Sequence, residues 1–334
     1  MRKLKKSIKG AENGTKHGSA MSEKQFVPIR VSTLRGDQKI DFDSYVKIND
    51  KHLLYLKKGD SFEGERLTRL KAKNLKKLFI SIDEETLYRT YLSRNIELAY
   101  DSKSGKDLQT RSDIAQGAQQ SNSEAIMEDP TNESLYKQAK EDVGRFAEFL
   151  QNEGGAFAHI MAMENNDKNI PHHCAAVSTL AIALSKKLGN ADASHVQLLA
   201  LGCLLHDIEH LYSGINIARP IKLFTEVELK AYRKHPIDSV TRVKDKKHFD
   251  PIVLNIIAQH EEFVDGQGFP QKLPESKLDP MSVIASSCNA LDRLISFEGV
   301  PKKSAPRQLI ISAVGRFPLQ HLQHLSDLMN SLKT

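Results

Sequence analysis

Apolar residues change their spacing twice along the chain. Between Phe26 and about Asp101 they come in short alternating runs, Val27-Pro28-Ile29-Arg30-Val31, Tyr45-Val46-Lys47-Ile48 and Leu53-Leu54-Tyr55-Leu56, the period of a half-covered strand. Arg35-Gly36-Asp37, Asn49-Asp50 and Lys58-Gly59-Asp60 stand around them as turns. Leu67-Thr68-Arg69-Leu70 predicts a short helix, and Lys77-Leu78-Phe79-Ile80-Ser81-Ile82 a further strand. Asp83-Glu84-Glu85 then opens a helix carrying Leu87, Tyr91 and Leu92, with acids where the helix dipole favours them. Residues 25–101 therefore read as a small α+β module, of the regulatory or sensory kind.

Asp101 to Asn132 is polar, rich in Ser, Gln and Asp, and closes on Asp129-Pro130-Thr131-Asn132. That composition predicts a linker over 102–132, with room for a frayed helix. From there the period turns helical. Leu135, Ala139, Val143, Phe146 and Leu150 share one face, and Val177, Leu180, Ala181, Leu184 and Leu188 share another that ends at Gly189. Further helices are expected over Val196–Leu205, from about Thr225 to His235-Pro236, over Pro251–His260 and over Val283–Ile295. The proline after His235 reads as the stop of its helix. The expected fold is mainly α, a helical bundle over 133–334 preceded by the small α+β domain.

Bulk composition narrows the partners. The chain has 334 residues with 48 basic and 42 acidic side chains, a net charge of +6. Seven of the basic residues lie in Met1–Lys24, which reads as a disordered, solvated basic arm and not a grip on DNA; Met21 is an alternative start. No stretch approaches the roughly 18 apolar residues of a membrane span. Cys174, Cys203 and Cys288 are scattered within apolar stretches, so buried thiols in a reducing cytoplasm are expected.

The chemistry gathers at Leu204-Leu205-His206-Asp207, where an apolar helix ends on an imidazole and a carboxylate. Both are ligands for Zn, Mn, Fe or Mg, and a carboxylate can bridge two ions. His173, His235 and His260 also stand at helix ends, and Asp292 supplies another carboxylate from the last of these helices. Facing helices of a bundle assemble metal centres from distant residues. Several histidines with two aspartates exceed the needs of one structural ion and suit a two-metal site for phosphoryl chemistry.

The order His173, His206-Asp207, His235-Pro236, then His260 followed by Asp265-Gly266-Gln267-Gly268-Phe269-Pro270 resembles the HD-GYP family, bacterial HD-superfamily enzymes that hydrolyse cyclic di-GMP. The resemblance covers about residues 150–330 and implies an HD-type helical bundle. It also implies a phosphodiesterase with a binuclear centre and a metal-bridging hydroxide, in bacterial second-messenger signalling. Asp207 would be catalytic, and His173, His206, Asp207, His235, His260 and Asp292 would be the metal ligands, with Asn289 competing for the last place. The two divalent ions would be iron first, with manganese or zinc as alternatives. Arg219 and Lys222 in Arg219-Pro220-Ile221-Lys222, and Lys303 in Pro301-Lys302-Lys303, resemble substrate-binding positions; equally they are ordinary exposed bases.

The departures from the pattern are specific. His-Asp-Ile-Gly-Lys reads His206-Asp207-Ile208-Glu209-His210, so the motif lysine, which resembles a phosphate contact, is absent. Phe269 replaces the motif tyrosine, Glu261 stands where a second histidine ligand is usual, and Asn169 replaces a glutamate that would favour a third metal. The expected partner is cyclic di-GMP or a related nucleotide, with a protein partner for the N-terminal module. The alternative expectation is a weak or inactive metal-binding receptor of the same fold, or an HD hydrolase of another nucleotide.

Overall fold

A computed structural model describes residues 25–332 apart from 74, 76, 164–168 and 191. The arm expected over residues 1–24 lies outside the described residues. The first module contains β1 (Phe26–Arg30), β2 (Ser44–Ile48), β3 (Lys51–Leu56), α1 (Glu65–Ala72), β4 (Lys77–Ser81) and α2 (Glu85–Tyr100). Its strands form one antiparallel sheet in the order β1-β4-β2-β3. Asn49 and Asp50 take positive φ, 47° and 63°, giving the two-residue turn whose twist suits the β2–β3 hairpin. Ile29, Leu78 and Ile80 on the sheet pack with Phe42, Tyr88 and Tyr91 into a small core.

The polar stretch assigned above to a linker is instead a 21-residue helix, α3 (Leu108–Glu128). Asp107 caps it by accepting from the Thr110 N–H. Its buried face mixes Ile114, Ala115, Ile126 and Met127 with Ser112, Gln116, Gln119 and Ser123. Such a face gives little apolar periodicity, because its small and amide side chains pack close and bond to neighbouring carbonyls. Ser123 donates to the Leu204 carbonyl at 3.1 Å and Gln119 to the Asp142 carbonyl at 3.4 Å. On its other side α3 holds the first module. Arg30 pairs with Glu124 at 2.5 Å, and Gly117 lies against the turn Val31–Thr33, where a Cβ would stand 2.6 Å from the Ser32 carbonyl oxygen.

The remaining chain is α4 (Glu133–Asn152), α5 (Ala156–Ala162), α6 (Ile170–Lys187), α7 (Ala193–Leu205), α8 (Glu226–Val243), α9 (Pro251–Gln259), α10 (Pro280–Ser296), α11 (Ala305–Ser312) and α12 (Leu319–Asn330). Helix α7 packs against α4, α6 and α9, which explains why its sequence is apolar all round. Gly202 brings α7 onto α9, since a Cβ there would meet Ile256 at 2.6 Å. Helix α6 ends through Gly189 at φ 80°, the left-handed cap that glycine adopts without strain. The three cysteines are buried and free. Among the described residues no helix is long and apolar enough to cross a membrane.

Helix α8 does not stop at His235-Pro236 but runs on to Val243 with Pro236 inside it. Proline has no N–H to give to the Tyr232 carbonyl four residues back. The His235 ring meets that carbonyl instead, Nδ1 at 2.5 Å, so the gap in the helical ladder is filled by a side chain.

The Gly117 contact generates a prediction whose sign runs against helix propensity. Gly117→Ala should gain about 1 kcal/mol from propensity yet lose about 1–3 kcal/mol to overpacking against Ser32 and Arg35. The expected result is a lower denaturant midpoint at unchanged slope; a raised midpoint would show that α3 and the first module are loosely joined.

Candidate metal centre

Three histidines are oriented by one device. His206 ends α7, His235 lies within α8 and His260 ends α9. In each, ring Nδ1 faces the backbone carbonyl three residues earlier: Cys203 at 2.7 Å, Tyr232 at 2.5 Å and Ile257 at 2.9 Å. Carbonyls at a helix end, or opposite a proline, are short of N–H donors. Nδ1 therefore carries the proton and donates it, and Nε2 presents a lone pair inward. His173 is held by a side chain. Its Nδ1 lies 2.6 Å from Asp292 Oδ2, an oxygen that also accepts from the Ser296 hydroxyl at 2.8 Å. Its Nε2 lies 3.1 Å from Asn289 Oδ1.

Asp207 sits at the centre, 4% exposed. Its Oδ2 faces Nε2 of His173 and His206 at 3.7 and 3.5 Å. Its Oδ1 faces Nε2 of His235, His260 and His210 at 3.2, 3.6 and 3.6 Å. One carboxylate thus serves two sets of imidazoles, one with each oxygen. His235 and His260 bring their Nε2 atoms within 2.8 Å of each other, a contact that needs a proton or a metal ion between the two nitrogens; although burial opposes it, Asp207 raises His260 above the usual histidine range. His206 Nε2 and both ring nitrogens of His210 are buried without a hydrogen-bond partner. Atoms each about 2.0–2.1 Å from one ion stand about 3.0–3.4 Å apart, close to the spacings found. The donor set fits divalent metal.

Burial pushes His206 down to about 3 and His210 well below the usual histidine range, so both are neutral donors. Burial alone would raise the Asp207 carboxyl. Charge at the surrounding rings, His206 and His210 first, and hydrogen bonds from His235 and His260 would hold it well below the usual carboxylate range; with His206 and His210 neutral, a bound cation has to supply that charge. Glu261 groups with His235 and His260 as a third potential set; its Oε1 accepts from the Tyr232 hydroxyl at 2.5 Å and from Asn289 Nδ2 at 3.3 Å.

The HD domain pattern matches residues 171–294, the span that carries this cluster. A solved structure, Bd1817, described as a HDG"Y"P protein from Bdellovibrio bacteriovorus, is 53% identical with a TM-score of 0.87. That likeness covers 92% of this chain and all of the other. The chain belongs to the HD-GYP family. Two curated relatives are more distant. Cyclic di-GMP phosphodiesterase PA4108 of Pseudomonas aeruginosa is 26% identical over 141 residues, 42% of this chain and 34% of that protein. Cyclic di-GMP phosphodiesterase PdeB of Borreliella burgdorferi is 26% identical over 174 residues, 46% of this chain and 45% of the other. The chain thus spans less than half the length of either curated relative.

The HD-GYP motifs fall together, with particular departures. The loop after His260 is sewn to the site: Glu262, buried, accepts from the N–H groups of Gln271 at 2.6 Å and Leu273 at 3.1 Å. Gly268 is required there, since a Cβ would stand 2.4 Å from Glu262 Cα. Asp292, expected among the ligands, reaches the cluster only through His173, on the nitrogen turned away from Asp207; Asn289 faces the inward nitrogen. Arg219, expected at substrate, is engaged by its own loop and by the first turn of α8. Its nitrogens donate to the Asn216 and Leu223 carbonyls and pair with Glu228. Lys222 and Lys303 are exposed. His210 was noted in the sequence only as the loss of a lysine, yet its ring enters the cluster. The available signal was its spacing, three residues after Asp207 on the same turn.

Asp292→Asn separates a ligand from an orienting partner. If the carboxylate acts through His173, metal affinity should fall about 10- to 100-fold while the number of ions bound at saturation stays unchanged. Loss of one ion at saturation would make Asp292 a ligand.

Proposed function

We propose that this chain is a metal-dependent phosphodiesterase that hydrolyses cyclic di-GMP at a site for two divalent ions. The observation that carries the reading is the Asp207 carboxylate, whose two oxygens face separate sets of imidazole nitrogens. His173, His206 and Asp207 would hold one ion, with Asn289 beside His173; Asp207, His210, His235 and His260 would hold the other, with Glu261 at its edge. Divalent ions, when bound, supply Lewis acidity that activates water and neutralises phosphoryl charge. The nitrogen and carboxylate donors suit iron, with manganese and zinc as competitors. The substrate is carried over from relatives named as cyclic di-GMP phosphodiesterases.

The protein's own share of the chemistry is positioning. Backbone carbonyls fix the rings of His206, His235 and His260, so their donor atoms need no reorganisation when charge develops. The Tyr232 hydroxyl and Asn289 amide aim Glu261. A second reading, a receptor that binds nucleotide with little turnover, draws on Phe269 and His210, which lack the tyrosine hydroxyl and lysine ammonium of the motif.

Protein purified without oxygen and loaded with iron or manganese should convert cyclic di-GMP to linear pGpG or GMP. Asp207→Ala should lower the rate by at least about 100-fold. Wild-type protein that binds metal and cyclic di-GMP without turning it over would sink the hydrolase reading in favour of the receptor.

A further inference from the structure

We propose that Arg293 is the phosphate-binding cation of this site, its guanidinium held unpaired at the wall of the metal cluster to meet a nonbridging phosphate oxygen. The inference rests on the phosphoester reading above and adds a residue that no motif marks. Arg293 is only 8% exposed, and its Nε and Nη2 are buried with no hydrogen-bond partner. Among the described residues no carboxylate lies within ion-pair distance of it. The acid next to it in the chain, Asp292, is engaged by His173 and Ser296, and Glu261 is engaged by Asn289 and by Tyr232, the ring beneath the guanidinium. A buried guanidinium left unpaired is strongly unfavourable, which makes the site one an anion completes.

Its place is fixed by aromatic faces. The guanidinium carbon lies 4.9 Å from the Tyr232 ring centroid and 5.5 Å from that of Phe297, contacts that hold a cation without using its N–H groups. Tyr232 stacks on His210 at 5.6 Å and 6°, and His210 faces Asp207. Tyr232 therefore touches both Arg293 and a histidine of the cluster. Phe297 in turn lies 5.0 Å from His173, so the cation is braced from both sets of the cluster. Arginine suits the task because its planar fork can meet two phosphate oxygens at once.

The test uses metal-loaded full-length protein, titrated calorimetrically with inorganic phosphate and with cyclic di-GMP, for wild type, Arg293→Met and Arg293→Lys. Metal content and thermal midpoint are measured alongside. The expected result for Arg293→Met is unchanged metal content, a midpoint unchanged or raised because an unpaired buried charge is gone, and affinity for both probes weakened about 10- to 100-fold. Arg293→Lys should fall between the two. Wild-type affinity for phosphate in Arg293→Met, or a lowered midpoint with binding intact, would overturn the proposal and make Arg293 a structural residue. Protein that binds phosphate through Arg293 but does not hydrolyse cyclic di-GMP would overturn the substrate assignment and leave this one standing.

Discussion

A carboxylate buried among five imidazoles is the constraint on which the rest of this structure depends. Asp207 has lost most of its water, and the rings around it are turned by their own backbone bonds to present lone pairs and not protons. Each of those bonds is local and ordinary, a side chain satisfying a carbonyl that its helix leaves short of a donor. Together with the Asp292 side chain that holds His173, they aim four helices at one point. A metal ion would make that arrangement favourable, so binding an ion and holding the start of α6, the middle of α8 and the C-terminal ends of α7 and α9 together are one event energetically.

The first module is tied to that point by α3. Gly117 and Glu124 engage the module through Ser32 and Arg30, while Ser123 bonds the Leu204 carbonyl, two residues before His206. One rigid helix therefore spans from the turn after β1 to the end of the metal-bearing helix. Gln119 and Ser123 on its buried face are polar and bond to carbonyls of α4 and α7, where apolar side chains would only fill space.

The sequence was legible where chemistry or periodicity is local. The alternation around Ile29 and Leu78, the stripe from Val177 to Leu188 and the apolar run into His206-Asp207 all give their elements directly. Helix α3 was not legible, because Gln119 and Ser123 resemble linker residues until their acceptors on other helices are known. Pro236 misled for a similar reason: the rule that proline ends a helix assumes an unfilled carbonyl, and His235 fills it. Within the site, the set His173, His206, Asp207, His235 and His260 followed from motif order. Which nitrogen of His173 Asp292 would meet, and which fate Arg219 and His210 would have, depended on side-chain partners distant in the chain.

The most direct measurement is electron paramagnetic resonance of the metal-free protein titrated with manganese(II). If the two oxygens of Asp207 join two ions, the six-line signal of isolated manganese should fade as the second equivalent binds, replaced by the broad spectrum of a spin-coupled pair. A signal of isolated ions that grows to saturation, with one or two equivalents bound, would contradict a centre bridged by Asp207.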